Sequence, residues 1–375
     1  MLGFSARSFT LRSVGAVTGA AMVAASASMA AGTASAAARP ASGTGYSVAG
    51  SLNGVAATSV DNAWAVGATP AGKTLILRWN GQSWARQSSP AGTLNAVAAS
   101  SAANAWAVGN LGSQYHPAGP LALHWNGTSW RRVSIPGVPG EWLSGVAAIS
   151  ADNAWAVGTH KTATTTTALI LHWNGRKWSR IAPPAVKKLA SDETYALSSV
   201  SASSASNVWT VGPLIAPAAG SQGGVNLHWN GKTWREGPIP PGPQNSVVVV
   251  SASDVWTSGC VCGGNPGPVY TAHWNGKRWT YPRNPFSTPG NGEGGGTAVV
   301  AAAPGAVWAA GENYSTSRSS FLMRWTGSAW KLTSFAPDSA TFAGVAVTSA
   351  SNAWAVGSTE AGKTLIMHWN GSAWH

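Results

Sequence analysis

Short runs of alternating large and small apolar residues recur along this chain, each bounded by residues that favour turns. In the run from Ala63 to Gly67, Trp64 and Val66 fall on one side of an extended strand and the small residues fall on the other. Side chains of a strand point alternately to the two faces of its sheet. The pattern therefore predicts short strands that are buried on both faces, with one bulky face and one small face.

Four such strands form one unit. Its expected members are strand a (52–58), strand b (63–67), strand c (75–79) and strand d, which runs from Trp84 to about Pro90. A short turn at 60–62 joins strands a and b. Asn80 and Gly81 are expected to join strands c and d as a tight hairpin, because both residues accept positive φ.

Tryptophan marks seven copies of this unit at the same three positions: in strand b, at the end of strand c and at the start of strand d. The marker residues are Trp64, Trp79, Trp84; Trp106, Trp125, Trp130; Trp155, Trp173, Trp178; Trp209, Trp229, Trp234; Trp256, Trp274, Trp279; Trp308, Trp325, Trp330; and Trp354, Trp369, Trp374. Only Trp142, of 22 tryptophans, falls outside them. Four-stranded units that follow one another without interruption predict an all-β, seven-bladed β-propeller over residues 45–375.

We expect the units to close into a ring. The alternative is a straight solenoid, which needs polar caps at both ends. No such caps are visible in the sequence. The chain stops at His375, one residue after the last marker tryptophan, so the seventh blade lacks most of its strand d. We expect residues 45–50 to supply it by pairing with strand c of that blade, Leu365 to Trp369.

Residues 1–38 resemble a secretion signal, with Arg7 and Arg12 before an alanine-rich apolar stretch and a small-x-small pattern at 34–36. Residues 39–44 would be a short linker. A membrane anchor is the alternative, but Leu, Ile and Phe are nearly absent from the stretch. No other segment approaches the length of uninterrupted apolar sequence that a membrane span needs, so we expect a secreted protein whose mature chain has no such span.

The positive net charge narrows the expected partners. A formal net charge of +12 favours anionic extracellular polymers, such as those of a cell wall, without indicating a specific nucleic-acid partner.

Cys260 and Cys262 are the only cysteines, and a disulfide across one residue is strained but possible. A metal site there is the weaker alternative, since no third soft ligand lies nearby. We expect no cofactor, no metal and a monomeric protein.

The repeat resembles known propeller units. A glycine ending strand b, a variable loop, and then an aromatic residue with a tryptophan five positions later is similar to kelch and galactose-oxidase-like units. The Asn80-Gly81 hairpin resembles the Asp-box turn, with asparagine in place of aspartate. The WAVG and HWNGxxW repeats look most like those of secreted bacterial propellers. This resemblance covers the chain from the end of the predicted linker onwards; it implies the fold and says little about activity.

Five histidines precede the strand-c tryptophan, which raises the question of a shared metal or catalytic site. They are His124, His172, His228, His273 and His368, and Arg78 and Arg324 take the same position in the other two units. Strand c lies too far from the ring axis for these side chains to converge, and arginine cannot ligate a metal. We therefore interpret them as structural hydrogen-bonding residues and the repeated tryptophans as packing between blades, with sugar binding as the alternative for the tryptophans.

The connections that vary in length from unit to unit all lie at one end of the ring. The b–c and d–a connections differ in length from unit to unit, whereas the a–b turns and c–d hairpins are nearly constant. Antiparallel order places the b–c and d–a connections together on a variable face, which is the expected ligand face. Candidate ligand-binding residues there are Trp142, Glu141, Tyr115, His116, His160, Tyr195, Glu193, Tyr314 and Arg318. Further loop residues of interest are Lys161, Lys187, Lys188, Asp192, Arg283, Phe286, the run 290–296, Glu312 and Asn313.

Nine basic residues cluster at the opposite end of the ring. Arg131, Arg132, Arg176, Lys177, Arg180, Lys232, Arg235, Lys277 and Arg278 fall in c–d hairpins and strands d, where they either protect edge strands or form a cationic rim for an anionic wall polymer.

The predicted function is that of a non-catalytic binding propeller for extracellular glycan or a partner protein. The alternative is a hydrolase, lyase or oxidase acting on extracellular polysaccharide. Only 11 acidic residues are present, and Asp61, Asp152 and Asp254 lie in a–b turns, away from the variable face. No Ser-His-Asp, phosphate-loop or zinc motif appears.

Overall fold

Antiparallel sheets follow one another along the chain, and each is built from consecutive strands. The computed structural model describes residues 46–112, 116–186, 193–215, 223–238, 242, 244–260, 269–285, 299–313, 319–336 and 340–375. These residues form the seven blades of a β-propeller and contain no helix. It follows that no helix in the described residues is long and apolar enough to cross a membrane. The predicted signal and linker lie within residues 1–45, outside the described residues.

Each blade runs from an inner strand a to an outer strand d. The first four blades contain β1 (Ser51–Ser59), β2 (Asn62–Ala68), β3 (Thr74–Trp79), β4 (Trp84–Arg86); β5 (Thr93–Ser101), β6 (Asn104–Gly112), β7 (Pro117–Trp125), β8 (Trp130–Arg132); β9 (Glu141–Ser150), β10 (Asn153–Lys161), β11 (Thr166–Trp173), β12 (Trp178–Ile181); and β13 (Thr194–Tyr195), β14 (Ser199–Ser204), β15 (Asn207–Ile215), β16 (Gly224–Trp229), β17 (Trp234–Glu236). In blade four, β13 and β14 both pair with β15 and together form strand a.

The remaining three blades follow the same order. They contain β18 (Ser246–Ser251), β19 (Asp254–Cys260), β20 (Val269–Trp274), β21 (Trp279–Thr280); β22 (Val299–Ala303), β23 (Ala306–Asn313), β24 (Ser319–Trp325), β25 (Trp330–Phe335); and β26 (Thr341–Ser349), β27 (Asn352–Ser358), β28 (Thr364–Trp369).

The predicted two-faced strands are confirmed in blade one. Trp64, Val66 and Ile76 pack with residues of blade two. Leu75 and Leu77, one position away in strand c, pack with residues of blade seven. Alternation along a strand thus gives every blade two apolar faces, and the core consists of the interfaces between blades.

Polar side chains of the inner strands connect neighbouring blades. The Asn53 side-chain amide donates a 2.8 Å hydrogen bond to the Leu94 carbonyl oxygen in the next blade, and Asn95 donates in the same way to Leu143. In blade four a serine takes over this role, because the Ser201 hydroxyl oxygen accepts from the Val249 backbone N–H at 3.0 Å. These bonds satisfy backbone groups near the axis that have no partner within their own blade.

The N-terminal residues do pair with the last blade, but in a different register from the predicted one. Ala49 forms a bridge with Lys363, and Thr364 exchanges hydrogen bonds with Val48. The predicted partners from Leu365 to Trp369 are wrong. The reason is that the end of β28 is already occupied: Trp369 bridges Trp374, and the backbones of 368 and 375 exchange two 3.0 Å hydrogen bonds.

The c–d hairpin is longer than the two-residue turn predicted from Asn-Gly. Trp79 pairs with Trp84, which leaves four residues in the loop. The Asn80 side-chain oxygen accepts hydrogen bonds from the backbone N–H groups of Gln82 and Ser83, at 3.0 and 2.9 Å, and Gly81 has a φ of 90°. Asparagine therefore acts through its side chain, and glycine supplies the positive φ.

Candidate functional site

The repeated tryptophans form an aromatic triad at each of the seven interfaces between blades. Trp64 of β2 contacts Trp125 and Trp130 of blade two, with ring centroids 4.8 and 5.1 Å apart. The other triads are Trp106 with Trp173 and Trp178, Trp155 with Trp229 and Trp234, Trp209 with Trp274 and Trp279, Trp256 with Trp325 and Trp330, Trp308 with Trp369 and Trp374, and Trp354 with Trp79 and Trp84. The prediction that these residues pack between blades is confirmed, and the last triad closes the ring.

The strand-c tryptophan also fixes the constant face. The Trp79 indole N–H donates a 2.9 Å hydrogen bond to the Val60 carbonyl oxygen in the a–b turn. Trp125 and Trp173 make the same bond to Ala102 and Ala151. The c–d hairpins and a–b turns therefore lie together at one end of the ring, opposite the variable face.

The aligned histidines are structural, as predicted. His124 stacks on Trp106 at 4.4 Å and shares a 2.7 Å hydrogen bond with Asn104 in its own blade. In blade one, Arg78 replaces histidine and lies over the Trp64 ring at 5.0 Å. Among the described residues, no group of three or more His, Cys, Asp or Glu is placed to hold a metal ion.

These histidines should make the fold sensitive to mild acid. Burial lowers the pKa of His124, His172 and His228, and burial with the nearby His375 lowers the pKa of His368 to about 4. The unfolded chain, with histidine pKa values of about 6.5, therefore binds protons that the folded chain does not. We expect the unfolding midpoint to fall as the pH drops from about 6.5 towards 5. Changing His124, His172 and His228 to glutamine should flatten this slope; equal slopes in thermal melts of the two proteins would contradict it.

A buried carboxylate lies on the variable face between blades two and three. Glu141 is completely buried, and its two oxygens lie 2.8 and 2.6 Å from one Arg180 nitrogen. The Val138 backbone N–H donates a 3.0 Å hydrogen bond to the same carboxylate, and the His160 ring nitrogen lies 3.7 Å away. Arg180 and His160 are both partly exposed, so the cluster presents a guanidinium and an imidazole to solvent above a hidden negative charge.

This arrangement corrects several predicted placements. Glu141 and His160 were expected in exposed loops, but they are directly paired residues of β9 and β10, where the interface between blades buries the carboxylate. Arg180 was expected on the cationic rim. It lies instead on the same face of β12 as the inward-pointing Trp178, because residues two apart in a strand share a face. That alternation is the sequence signal that Arg180 points inward.

Tyr195 is also buried rather than presented by a loop. It belongs to β13, its hydroxyl donates a 2.7 Å hydrogen bond to the Pro184 carbonyl oxygen, and burial raises its pKa to about 12. Glu193 precedes β13 and is half-buried, whereas His116 is exposed beside the start of β7. Lys161 is exposed at the end of β10. Among these residues, His116 and Lys161 are the exposed ones.

Several predicted positions lie outside the described residues. They are Tyr115, Lys187, Lys188, Asp192, Cys262, Phe286, the run 290–296, Tyr314 and Arg318. The pairing of Cys260 with Cys262 therefore stays a prediction. Glu312 is half-buried near the end of β23, and Arg283 is exposed after β21.

Trp142 is the one tryptophan that takes part in no interblade triad. It is the second residue of β9, pairs with Thr159, and is half-buried at the variable face. Within the described residues its indole nitrogen has no hydrogen-bond partner. An aromatic ring with a free N–H and an accessible surface is well suited to stacking on a ligand and orienting it.

An open depression of about 610 Å³ lies on the same face between blades one and two, and the sequence did not indicate it. Its walls are the b–c loop from Ala68 to Gly72, the residues Ala91 to Thr93, and Leu111 with Gly112. Gly92 has a φ of 144°, and an added Cβ there would collide with the Leu121 side chain, so glycine is needed to shape the wall. A smaller depression of about 250 Å³, lined by Lys73 and Arg86 among others, lies beside it.

No protein-family model matches this chain, and no curated protein sequence matches it. Solved structures share its fold. YCF48 from Cyanidioschyzon merolae is 15% identical, with 84% of this chain and 95% of that chain covered and a TM-score of 0.54. An ulvan lyase of the polysaccharide lyases, bound to -[GlcA(1-4)Rha3S]-, is 10% identical, with coverages of 85% and 92% and a TM-score of 0.57.

A catalytically inactive virginiamycin B lyase from Staphylococcus aureus, in complex with quinupristin, is 12% identical, with coverages of 84% and 94% and a TM-score of 0.55. YCF48 has also been solved bound to D1 peptide. At these identities the likeness shows the fold alone: the class is a seven-bladed β-propeller, for which both binding and enzymatic roles are possible. The specific kelch and Asp-box resemblances remain predictions.

Proposed function

We propose that this protein is a secreted binding propeller that recognises an extracellular glycan or a partner protein through its variable face. The observation that carries the proposal is the contrast among the tryptophans. Twenty-one of 22 are used in packing between blades, whereas Trp142 lies outside the triads and is half-buried at the variable face. Aromatic faces of this kind bind sugar rings and apolar side chains.

Other groups at the variable end of blade three also support binding, on the opposite face of β9 from Trp142. The exposed groups of Arg180 and His160 belong to the same blade and are oriented by the buried Glu141, so they are preorganised donors. The open depression between blades one and two adds room for a ligand on the same face. Secretion, with retention at the cell wall, rests on the N-terminal sequence pattern and the positive charge.

An extracellular polysaccharide-acting enzyme is the alternative. The 3.7 Å approach of His160 to Glu141 is the observation that favours it, since a carboxylate beside an imidazole can move a proton. Against it, the Glu141 oxygens already accept bonds from Arg180 and Val138 and lie away from solvent. Acid–base cleavage of a glycoside also needs a second carboxyl group within about 10 Å on the ligand side.

A glycan array combined with a pull-down on extracellular polysaccharide and wall fragments tests the proposal. We expect retention without turnover, and Trp142→Ala should weaken it by about tenfold or more, equivalent to about 1.4 kcal/mol of stacking. A graft that replaces residues 110–121 by residues 358–365, the short b–c connection of blade seven, should weaken it while leaving the melting temperature nearly unchanged.

Two results would count against the binding proposal. Cleavage of a bound polysaccharide that is lost on changing Glu141, Glu193 or Glu312 would establish the enzyme instead. Retention that neither Trp142→Ala nor the graft affects would place the ligand elsewhere on the ring.

A further inference from the structure

The c–d hairpins of three consecutive blades carry exposed basic side chains at their tips. The two tip residues after each Asn-Gly are Arg176 and Lys177 in blade three, Lys232 and Thr233 in blade four, and Lys277 and Arg278 in blade five; the five basic side chains are all exposed. Their backbone N–H groups bond to the asparagine side chain of the same turn. The backbone is therefore fixed while the charged ends point into solvent on the constant face. We call these five residues the basic arc.

The placement of these charges is uneven. The equivalent tips are Gln82-Ser83, Thr128-Ser129, Ser328-Ala329 and Ser372-Ala373 in blades one, two, six and seven. Protection of edge strands would favour charges at the outer edge of every blade and gives no reason to concentrate them on three neighbours. Five cations on three neighbouring blades and none on the other four tips are not explained by that protection.

Acidic groups do little to neutralise the basic arc. Asp152 lies in the a–b turn of blade three beneath Gly175, and Asp254 of blade five is engaged with His273 at 2.9 Å and with Trp256 at 2.9 Å. No described acidic residue forms an ion pair with any of the five basic side chains. The arc thus carries a net positive charge that can attract an anionic polymer from a distance.

The distance between the hairpin tips of neighbouring blades favours a flexible ligand over a stiff one. With roughly 4.8 Å between strands, strand c lies about 15 Å from the axis, so hairpins of adjacent blades are on the order of 13 Å apart along a curved rim. A stiff duplex, with a persistence length of about 50 nm, cannot follow this convex curve without a large bending cost. A flexible chain with one permanent charge per unit can reach all three tips.

We propose that the basic arc binds a linear phosphodiester polymer of the cell-wall type and holds the propeller there with its variable face outward. A phosphodiester keeps its negative charge at every pH the protein meets, and its two free oxygens accept paired N–H groups from the Arg176 and Arg278 guanidinium forks. The arc lies at the opposite end of the ring from the proposed ligand face, so this inference rests on the secretion and wall retention in the proposed function but not on the ligand of the variable face.

Binding of the purified protein to immobilised poly(glycerol phosphate) tests the proposal that the basic arc binds a phosphodiester polymer. The neutralised variant carries Arg176→Ser, Lys177→Ala, Lys232→Ser, Lys277→Ser and Arg278→Ala, which gives blades three and five the Ser-Ala tips of blades six and seven. The matched control changes five exposed cations outside the arc to glutamine: Lys73, Arg86, Arg132, Lys331 and Lys363. Both variants have the same net charge, so they separate the position of the charges from their number.

We expect the wild-type protein to bind, with a log–log salt slope of at most about 3.5 in magnitude for five contacts. The arc variant should lose at least about tenfold in affinity and the control variant less than about twofold. Equal losses in the two variants would reduce the effect to net charge and overturn the inference. Equal or tighter wild-type binding to polygalacturonate would overturn the phosphodiester assignment, and equal or tighter binding to duplex DNA would overturn the choice of a flexible chain. Absence of binding at low salt, about 50 mM, would overturn both.

Discussion

Replacing Trp354 by alanine should lower the free energy of unfolding by about 3–5 kcal/mol, the range found when a large buried aromatic side chain is removed. Trp354 is completely buried in blade seven and contacts Trp79 and Trp84 of blade one, each at 5.1 Å. It therefore belongs to the interface that closes the ring. Loss of this side chain leaves a cavity between the first and last blades, and urea unfolding of the two proteins measures the cost.

Trp142→Ala is the matched control for this prediction. It removes the same side chain from a half-buried position outside the triads, so we expect a loss of less than about 1 kcal/mol. Comparable losses for Trp354→Ala and Trp142→Ala would mean that the triads do not carry the packing between blades.

Changing Arg180 to alanine should destabilise the protein by about 2–3 kcal/mol, because the completely buried Glu141 carboxylate loses its cation. The figure is below the range for a fully buried pair, since the Arg180 side chain is 43% exposed and solvent screens part of the attraction. Arg132→Ala is the control: Arg132 stands at the same position of strand d in blade two, is exposed, and has no buried carboxylate beside it.

The double variant Glu141→Gln with Arg180→Ala makes this prediction sharper. A neutral amide can still accept the Val138 N–H bond without burying a charge, so the double variant should be more stable than Arg180→Ala alone. If it is less stable, the Arg180 effect comes from lost packing and not from an uncompensated charge.

Much of the architecture could be predicted because it repeats. Seven copies of one tryptophan spacing specify strands, faces and ring closure, and the observed β1, β2 and β3 extend the predicted strands by a single residue at an end. The ring-closing register was missed, since a pairing between the two distant ends of the propeller leaves no periodic signal. The hairpin at Asn80 was expected to be tighter because the Asn-Gly pair does not reveal that the asparagine side chain spans the turn.

The candidate site was harder to predict because its residues occur once. Trp142 could be singled out as the exception to the repeat, and the structure places it half-buried near the start of β9. The burial of Glu141 was not anticipated, since a glutamate after a Pro-Gly-rich connection looks like a solvated loop residue. Its partner Arg180 comes from 39 residues further along, and only the strand alternation after Trp178 hinted that it points inward.

The central claim is that the repeated residues build the ring and the irregular residues bind the ligand. Dissociation constants for the strongest array ligand, measured with Trp142→Ala and Trp279→Ala, test it most directly. Both residues are half-buried, but Trp279 belongs to a triad and donates its N–H to Pro238. We predict that Trp142→Ala loses at least about tenfold in affinity with little change in stability, whereas Trp279→Ala loses stability and keeps wild-type affinity. The reverse result would assign the ligand to the repeats and contradict the claim.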